Sequence, residues 1–298
     1  MILRQRPASD RMSFSVEFTR FRGHDLMEKI EDIVLRHSGR GMDILRKEMT
    51  GEYAKSAAEM ILSWKKGTVF LVTGFFVAGF AETDGPSGTV FLAHALKKLG
   101  YNPVIVSDDY ARGFFEIKEI ETVYMPFWEG EEWCEDLLEK YKPVGLISIE
   151  RCGKNSNNDY ANMRGVSIAD TTAKIDILFE LAYGKIPTIG VGDGGNEIGM
   201  GNVASIVSEK LSLVPCVIKT DLLVIATVSN WGAYAITAYL EKLSGIPVFM
   251  SYDDVHEYIE QTVKIGSVDG VRRKRSVSVD GFEMDVEKEI IDSLREAV

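Results

Sequence analysis

The sequence predicts an α/β fold in which a doubly wound, mostly parallel sheet carries helices on both faces, preceded by an N-terminal helical pair. Three observations predict it. Beyond Thr68, short runs rich in β-branched residues alternate with stretches of helical periodicity, the order that builds parallel sheets through crossover helices. The runs are continuously apolar, as strands covered on both faces should be. Each run also ends in polar or glycine-rich sequence, and in open α/β sheets those carboxyl ends bound the ligand crevice.

Taken in order, Asp25 to Trp64 sets Leu26, Ile30, Ile33 and Val34, then Met49, Tyr53, Ala57, Met60 and Ile61, at helical spacing, with Gly39 and Gly41 between the two runs. This is the helical pair. Val69 to Val77 is the first strand, followed by a helix over Val90 to Leu99 that Gly100 stops. Val104 to Ser107, Leu146 to Glu150, Thr188 to Val191 and Leu222 to Val228 are the next strands. Residues 246–250 and 276–280 read as further strands, and Met284 to Val298 as a closing helix. No repeat or low-complexity linker divides the chain. Residues 1–66 are therefore expected as an arm packed on an α/β domain of residues 67–298, one structural unit in all.

Hydrophobic residues make up 45% and charged residues 27% of the 298, values that exclude disordered, fibrous and membrane classes. The longest apolar stretch, Val69 to Ala81, is interrupted by Thr73, Gly74 and Gly79 and is shorter than the roughly 18 residues of a spanning helix. No membrane partner is expected. The net charge of −11 repels polyanions, so nucleic acid is not an expected partner, while an oligomer stays open. The basic run Arg272-Arg273-Lys274-Arg275 reads as a solvated turn before an edge strand and receives no function. Arg4, Arg6, Arg11, Arg20 and Arg22 are interrupted by Asp10 and Glu17 with no apolar segment following, which reads as a structural arm rather than a transit peptide. Cys134, Cys152 and Cys216 form no Cys-x-x-Cys, consistent with a reducing cytoplasm, and His24, His37, His94 and His256 do not pair at metal-ligand spacing.

Four segments can carry chemistry. In Thr83-Asp84-Gly85-Pro86-Ser87-Gly88-Thr89 the glycines permit a tight turn and Ser87 or Thr89 caps the following helix, whose free amides suit a carboxylate or phosphate; a plain strand-to-helix turn is the equal alternative. The cluster Gly190 to Asn202 matches a dinucleotide fingerprint through Gly190, Gly192 and Gly195, but Asp193 would face the pyrophosphate, so NAD is not expected. Its glycines point to unusual dihedrals or close approach to a ligand. Asp193 and Glu197 there suit an ammonium, a metal or a proton in transit, or else cap neighbouring amides.

Ser148-Ile149-Glu150-Arg151-Cys152-Gly153-Lys154 and Asn162-Met163-Arg164-Gly165 set cations and a carboxylate on one connection. Arg151 can clamp a carboxylate in two-point fashion, or form an ion pair with Glu150 or Asp193. Cys152 has no histidine nearby to act as its base, so no thiol nucleophile is expected. Ser229 and Asn230 open a second helix at the same sheet edge, and Trp231 and Tyr234 serve equally as core or pocket wall.

Glu82-Thr83-Asp84-Gly85-Pro86, Ser148-Ile149-Glu150-Arg151, Asn162-Met163-Arg164-Gly165 and Gly192-Asp193-Gly194-Gly195-Asn196-Glu197-Ile198-Gly199-Met200-Gly201, in this order, resemble the C-terminal domain family of D-glutamate cyclases. The resemblance covers most of the chain and implies conversion of D-glutamate to 5-oxo-D-proline with loss of water. Longer relatives carry a further N-terminal domain.

On that reading the chemistry asks for a base, an acid and a clamp. Asp193 or Glu197 takes the ammonium proton and Glu150 protonates the leaving oxygen. Asp84, Gly85, Ser87, Arg151, Lys154, Arg164, Gly194, Gly195, Asn196, Ser229 and Asn230 bind substrate. No cofactor is required, although Mg²⁺ or Mn²⁺ on Asp84, Asp193 and Glu197 is an alternative electrophile. The rival readings are a metal-dependent enzyme of a small phosphorylated metabolite and a non-catalytic amino-acid- or nucleotide-binding module.

Overall fold

The computed structural model describes residues 28–211 and 213–298, so the arginine-bearing opening segment and His24 lie outside the described residues. The described chain starts with three helices, α1 (Ile30–Ile33), α2 (Met42–Glu48) and α3 (Tyr53–Ser63), where a pair was expected. β1 (Thr68–Val72) follows, then a two-stranded hairpin, β2 (Phe76–Val77) with β3 (Phe80–Ala81), so the expected first strand stops five residues early. Next come α4 (Pro86–Lys98), β4 (Asn102–Ser107), β5 (Thr122–Tyr124), α5 (Glu131–Tyr141), β6 (Gly145–Ile149), α6 (Ile177–Ala182) and β7 (Thr188–Gly192). The described chain closes with α7 (Ala204–Lys210), β8 (Leu222–Ile225), α8 (Ser229–Ser244), α9 (Tyr252–Ile265), β9 (Ser278–Val279), β10 (Phe282–Glu283) and α10 (Met284–Ala297).

Six strands form one parallel sheet in the order β5-β4-β1-β6-β7-β8. All five residues of both β6 and β7 are buried, the signature of a sheet covered by helices on both faces and the fold class expected. The chain builds outward from β1 to β4 and β5, then returns to β1's other side for β6. That reversal puts the topological switch point between the carboxyl ends of β1 and β6. Glu82 and Asp84 follow β1, and Glu150 follows β6.

Two sequence expectations change, and one strand has no counterpart among them. Residues 246–250 join no ladder; the Val248 and Phe249 amides donate to the Glu241 carboxylate, each at 2.7 Å. The strand expected over 276–280 is β9, which pairs only with β10 in an antiparallel hairpin apart from the main sheet. The edge strand β5 has only three half-buried residues, too few for any periodicity to register.

One hydrophobic core runs from Ile30 in α1 to Ala297 in α10, so the opening helices share it with the sheet. α8 packs against both α3 and α4. Gly88 permits the α4–α8 approach, since a Cβ there would stand 2.8 Å from the Ala233 Cβ and 3.0 Å from the Asn230 Cα. The close crossing brings the two helix N-termini side by side.

Candidate active site

The first amides of a helix have no partner within it and need an acceptor. α4 and α8 supply one another. The Asn230 side-chain oxygen accepts from Gly85 N at 3.0 Å and Gly88 N at 2.7 Å, while the Asp84 carboxylate accepts from Ser229 N at 2.9 Å and Asn230 N at 2.7 Å. Gly85, at φ +94°, makes the turn that an L side chain would resist. The anion expected at these helix starts is thus the protein's own Asp84.

Around this exchange the ends of β1, β6 and β7 bring together Asp84, Glu150 and Asp193, whose nearest oxygens all lie within 4.8 Å of one another. Glu150 holds a left-handed backbone at φ +47°, uncommon for a non-glycine residue and a conformation that surrounding contacts must sustain. Its carboxyl accepts from Ser229 Oγ at 2.6 Å. Asp193 also accepts from Ser229 N at 3.2 Å, and its Oδ1 is buried without a partner.

Arg40, between α1 and α2, reaches into this cluster. Its Nη2 donates to Asp193, to Asp280 and, at 3.0 Å, to the Thr227 carbonyl, while Nη1 meets the Met163 sulfur at 3.5 Å. Asp280 comes from the β9–β10 turn and Glu82 from the end of the β2–β3 hairpin.

This excess of buried acid over one guanidinium raises proton affinities. Burial, reinforced by the neighbouring carboxylates, pushes Glu82 and Glu150 well above the usual carboxyl range. Burial and Asp280 push Asp84 up to about 7 against the opposing amide of Asn230. Asp193 also rises, chiefly by burial, although Arg40 opposes it. Burial works against the charge on Arg40, yet Asp193 and Asp280 outweigh it and hold the guanidinium protonated. The carboxyl groups of the cluster therefore hold their protons more tightly than free carboxyl groups do.

A cavity of about 220 Å³ opens on this cluster. Arg40, Glu82, Glu150, Asn196 and Asp280 form its polar side, Phe75, Phe76 and Val77 an apolar wall, and Met163, Arg164, Val271 and Arg273 contribute from two exposed turns. Asp84 and Asp193, each 1% exposed, do not line the cavity.

The other expected site residues distribute differently. Arg151 is buried and turned into the fold, donating to Asp108 at 2.6 Å and to the carbonyls of Gly74 and Ala173. Its ion pair is therefore with Asp108, neither Glu150 nor Asp193, and Arg40 is the guanidinium that pairs with the acids at the cavity. Lys154 pairs with Glu180 at 2.8 Å outside the cavity. Ser87 Oγ lies 2.8 Å from the Tyr234 hydroxyl, which with Trp231 Nε1 binds the buried Glu287; both aromatics are core.

Glu197 accepts from Gly195 N at 2.8 Å, so it ties down its own loop, and the acid triad contains Glu150 in its place. Close approach in the glycine cluster is to protein: a Cβ at Gly190 would meet the Ile198 carbonyl at 2.5 Å, and one at Gly194 the Glu197 carboxylate at 2.7 Å. Gly195, at φ +107°, packs on Val207. Asn196 donates to the Ala161 carbonyl and leaves a buried oxygen free. Burial raises the Cys152 thiol well above its usual range, as befits a packed rather than a nucleophilic cysteine.

Sequence reasoning missed Arg40 and Asp280, quoted Glu82 only as part of the family motif, and gave Arg273 no function. The one available signal for Arg40 was its position inside Gly39-Arg40-Gly41, a cation isolated at a helix junction.

Comparison with known proteins gives a consistent family. The family model described as D-glutamate cyclase-like, C-terminal, matches residues 30–295. The mitochondrial D-glutamate cyclase of Homo sapiens is 34% identical over 194 residues, covering 57% of this chain. The match spans only 31% of the human protein's length. Among solved structures, an exopolyphosphatase-related protein from Bacteroides fragilis superposes over 82% of this chain and 57% of its own, at 9% identity and a TM-score of 0.39. The UDP-glucose 4-epimerase of Brucella ovis in complex with NAD superposes over 49% of each chain, at 14% identity and a TM-score of 0.28. No functional conclusion rests on overlaps this loose.

Proposed function

The chain belongs to the D-glutamate cyclase-like C-terminal family, and from that membership we propose that it converts D-glutamate to 5-oxo-D-proline and water. The observation that carries the reading is Arg40 set among buried carboxyl groups, three of which, Glu82, Glu150 and Asp280, border the cavity. An amino diacid asks for this combination, because an acidic surface accepts its ammonium and a guanidinium accepts its carboxylate.

Lactam formation joins the α-nitrogen to the γ-carboxyl carbon and breaks one carbon–oxygen bond. The nitrogen gives up two protons and the departing oxygen gains two, so no other reactant is consumed. Glu82 and Glu150 suit this exchange: burial keeps each proton affinity high, so the ionised partner can accept from the ammonium and the protonated one can donate to the leaving oxygen. We assign the donation to Glu150, which Ser229 orients. Arg40 would then hold the γ-carboxyl and stabilise the developing oxyanion. Asp84 and Asp193, beneath the surface, are positioning residues for Ser229, Asn230 and Arg40.

Asp84, Glu150 and Asp193 also favour a second reading, a hard divalent cation such as Mg²⁺ or Mn²⁺ held by their oxygens, which would polarise the γ-carboxyl. The cysteines Cys134, Cys152 and Cys216 are free and buried, which suits a reducing compartment such as the cytoplasm. No helix among the described residues is long and apolar enough to cross a membrane.

The test is to incubate purified, chelator-treated protein with D-glutamate, with and without Mn²⁺, and assay 5-oxoproline by mass spectrometry with L-glutamate as control. D-specific product is expected; absence of product under both conditions overturns the reading. Product only with Mn²⁺ selects the cation-assisted form.

A further inference from the structure

Four cations make up the turn Arg272 to Arg275, and three of them differ from the fourth. Arg272 binds Glu283 at 2.7 Å and the Gly281 carbonyl at 2.9 Å, Arg275 lies over the Phe80 ring at 5.4 Å, and Lys274 does not border the cavity. Arg273 does border it, and its guanidinium has no ion-pair or hydrogen-bond partner among the described residues. The same holds for Arg164, on a separate turn of the chain.

Neither position is an accident of a loose loop. Asn162 Oδ1 accepts from Arg164 N at 2.9 Å and Val166 N at 3.2 Å, closing the turn that presents Arg164. Arg273 N donates to the Asp269 carbonyl at 2.7 Å, with Asp269 fully buried and its carboxylate holding Arg272 N, Ser278 Oγ and Gly281 N. Arg273 itself takes a left-handed backbone at φ +55°, a conformation non-glycine residues seldom adopt without a fixed turn around them. Two built turns thus set unpaired guanidinium groups beside a cavity that Glu82, Glu150 and Asp280 also line, on a protein of net charge −11.

We propose that Arg273 and Arg164 capture the α-carboxylate of the substrate at the cavity mouth and make a free anionic group there the determinant of specificity. This assignment rests on the cyclase reading. Ring closure consumes the ammonium and the γ-carboxyl, so both must lie against Glu82, Glu150 and Arg40. The α-carboxylate is the remaining charged group, and in the closing ring it projects outward. The methylenes then face Phe75, Phe76 and Val77. Guanidinium groups match a carboxylate in a planar, two-point geometry that an uncharged amide cannot reproduce.

The experiment uses the full chain with Arg164→Gln, Arg273→Gln, Arg273→Lys and the double glutamine variant. D-glutamate is compared with D-isoglutamine, which carries an uncharged amide in place of the α-carboxylate. The wild type should favour D-glutamate through KM by about tenfold or more, the size expected for a lost charge-assisted hydrogen bond. Each glutamine substitution should raise KM for D-glutamate severalfold while kcat stays within about twofold, and the double variant should lose the preference. Arg273→Lys should retain part of it, and unliganded melting temperatures should not move. An unchanged KM and preference in the double variant overturns the proposal.

If the wild type does not turn over D-glutamate, the cyclase reading fails separately, and the arginines are then judged by thermal shift with D-glutamate, 5-oxo-D-proline and inorganic phosphate. Stabilisation of the wild type that the double variant loses supports anion capture at the mouth; equal stabilisation, or none, overturns it.

Discussion

Asp84 and Asn230 cap each other's helices: the Asp84 carboxylate takes the Asn230 amide at 2.7 Å, and the Asn230 side chain takes Gly85 N at 3.0 Å and Gly88 N at 2.7 Å. The pair locks the starts of α4 and α8 into one unit and fills with protein the two places where a helix dipole would otherwise attract a ligand anion. Ligand recognition is left to side chains, Arg40 first among them.

Asn230→Ala removes the one side-chain oxygen that accepts from both Gly85 N and Gly88 N, and the loss should be about 1–2 kcal/mol, the range measured for helix caps, with some turnover lost as Asp84 and Ser229 relax. Urea unfolding monitored by circular dichroism measures it. A change below a few tenths of a kcal/mol would mean that the exchange does not hold the two helices.

Arg40→Gln leaves Asp193 and Asp280 facing each other without their shared cation. Stability should fall by about 2–3 kcal/mol, less than for a wholly buried pair because a quarter of the Arg40 side chain is exposed, and turnover of D-glutamate should become undetectable. Equilibrium unfolding and 5-oxoproline release check the two effects separately. Arg40→Lys should recover stability better than activity, since an ammonium cannot reproduce the forked donors.

Glu150→Gln keeps the shape and the Ser229 contact but holds no transferable proton. Turnover should drop by a factor of about 100 or more with the melting temperature preserved, because the buried group already favours its neutral form. Ser229→Ala should lower kcat by about tenfold and leave KM unchanged if Ser229 acts only by orienting Glu150. Steady-state assays on both variants decide this.

Stability should decline as pH rises from about 4 to 8. Burial raises Glu287 to about 7 in the folded chain, even though Trp231 and Tyr234 donate to it. Burial and Asp280 likewise raise Asp84 to about 7. Below the unfolded carboxyl pKa both states are protonated and nothing is lost. Between the unfolded and folded values the native state binds more protons, so stability falls with increasing pH, and it levels off above the folded value. Glu287→Gln removes one titrating group and should flatten the decline by on the order of 2 kcal/mol. Urea midpoints at pH 5 and pH 8 for wild type and variant measure the difference, and parallel curves would show that Glu287 does not titrate with folding.

The sequence by itself determined the layered α/β class, five of the six sheet strands and the loops after them, because continuous apolar runs and glycine-rich stops are local signals. It also located Asp84, Glu150, Asp193, Ser229 and Asn230 at one sheet edge, since parallel strands share a carboxyl end. Direction and pairing of side chains were decided only in three dimensions. Arg151 and Arg40 are both arginines in short polar segments. Packing turned the first beneath the sheet edge to Asp108, whereas the opening helices, by sharing the core with α8 and β8, carried the second over 150 residues of chain to Asp193. The helix starts after Gly85 and Val228 each looked ready for an anion, but the close α4–α8 crossing at Gly88 let them satisfy one another. Glu82, Asp280 and Arg273 come from two short hairpins and a turn with no periodicity to announce them, and they join the site only because the tertiary fold closes those segments over the switch point.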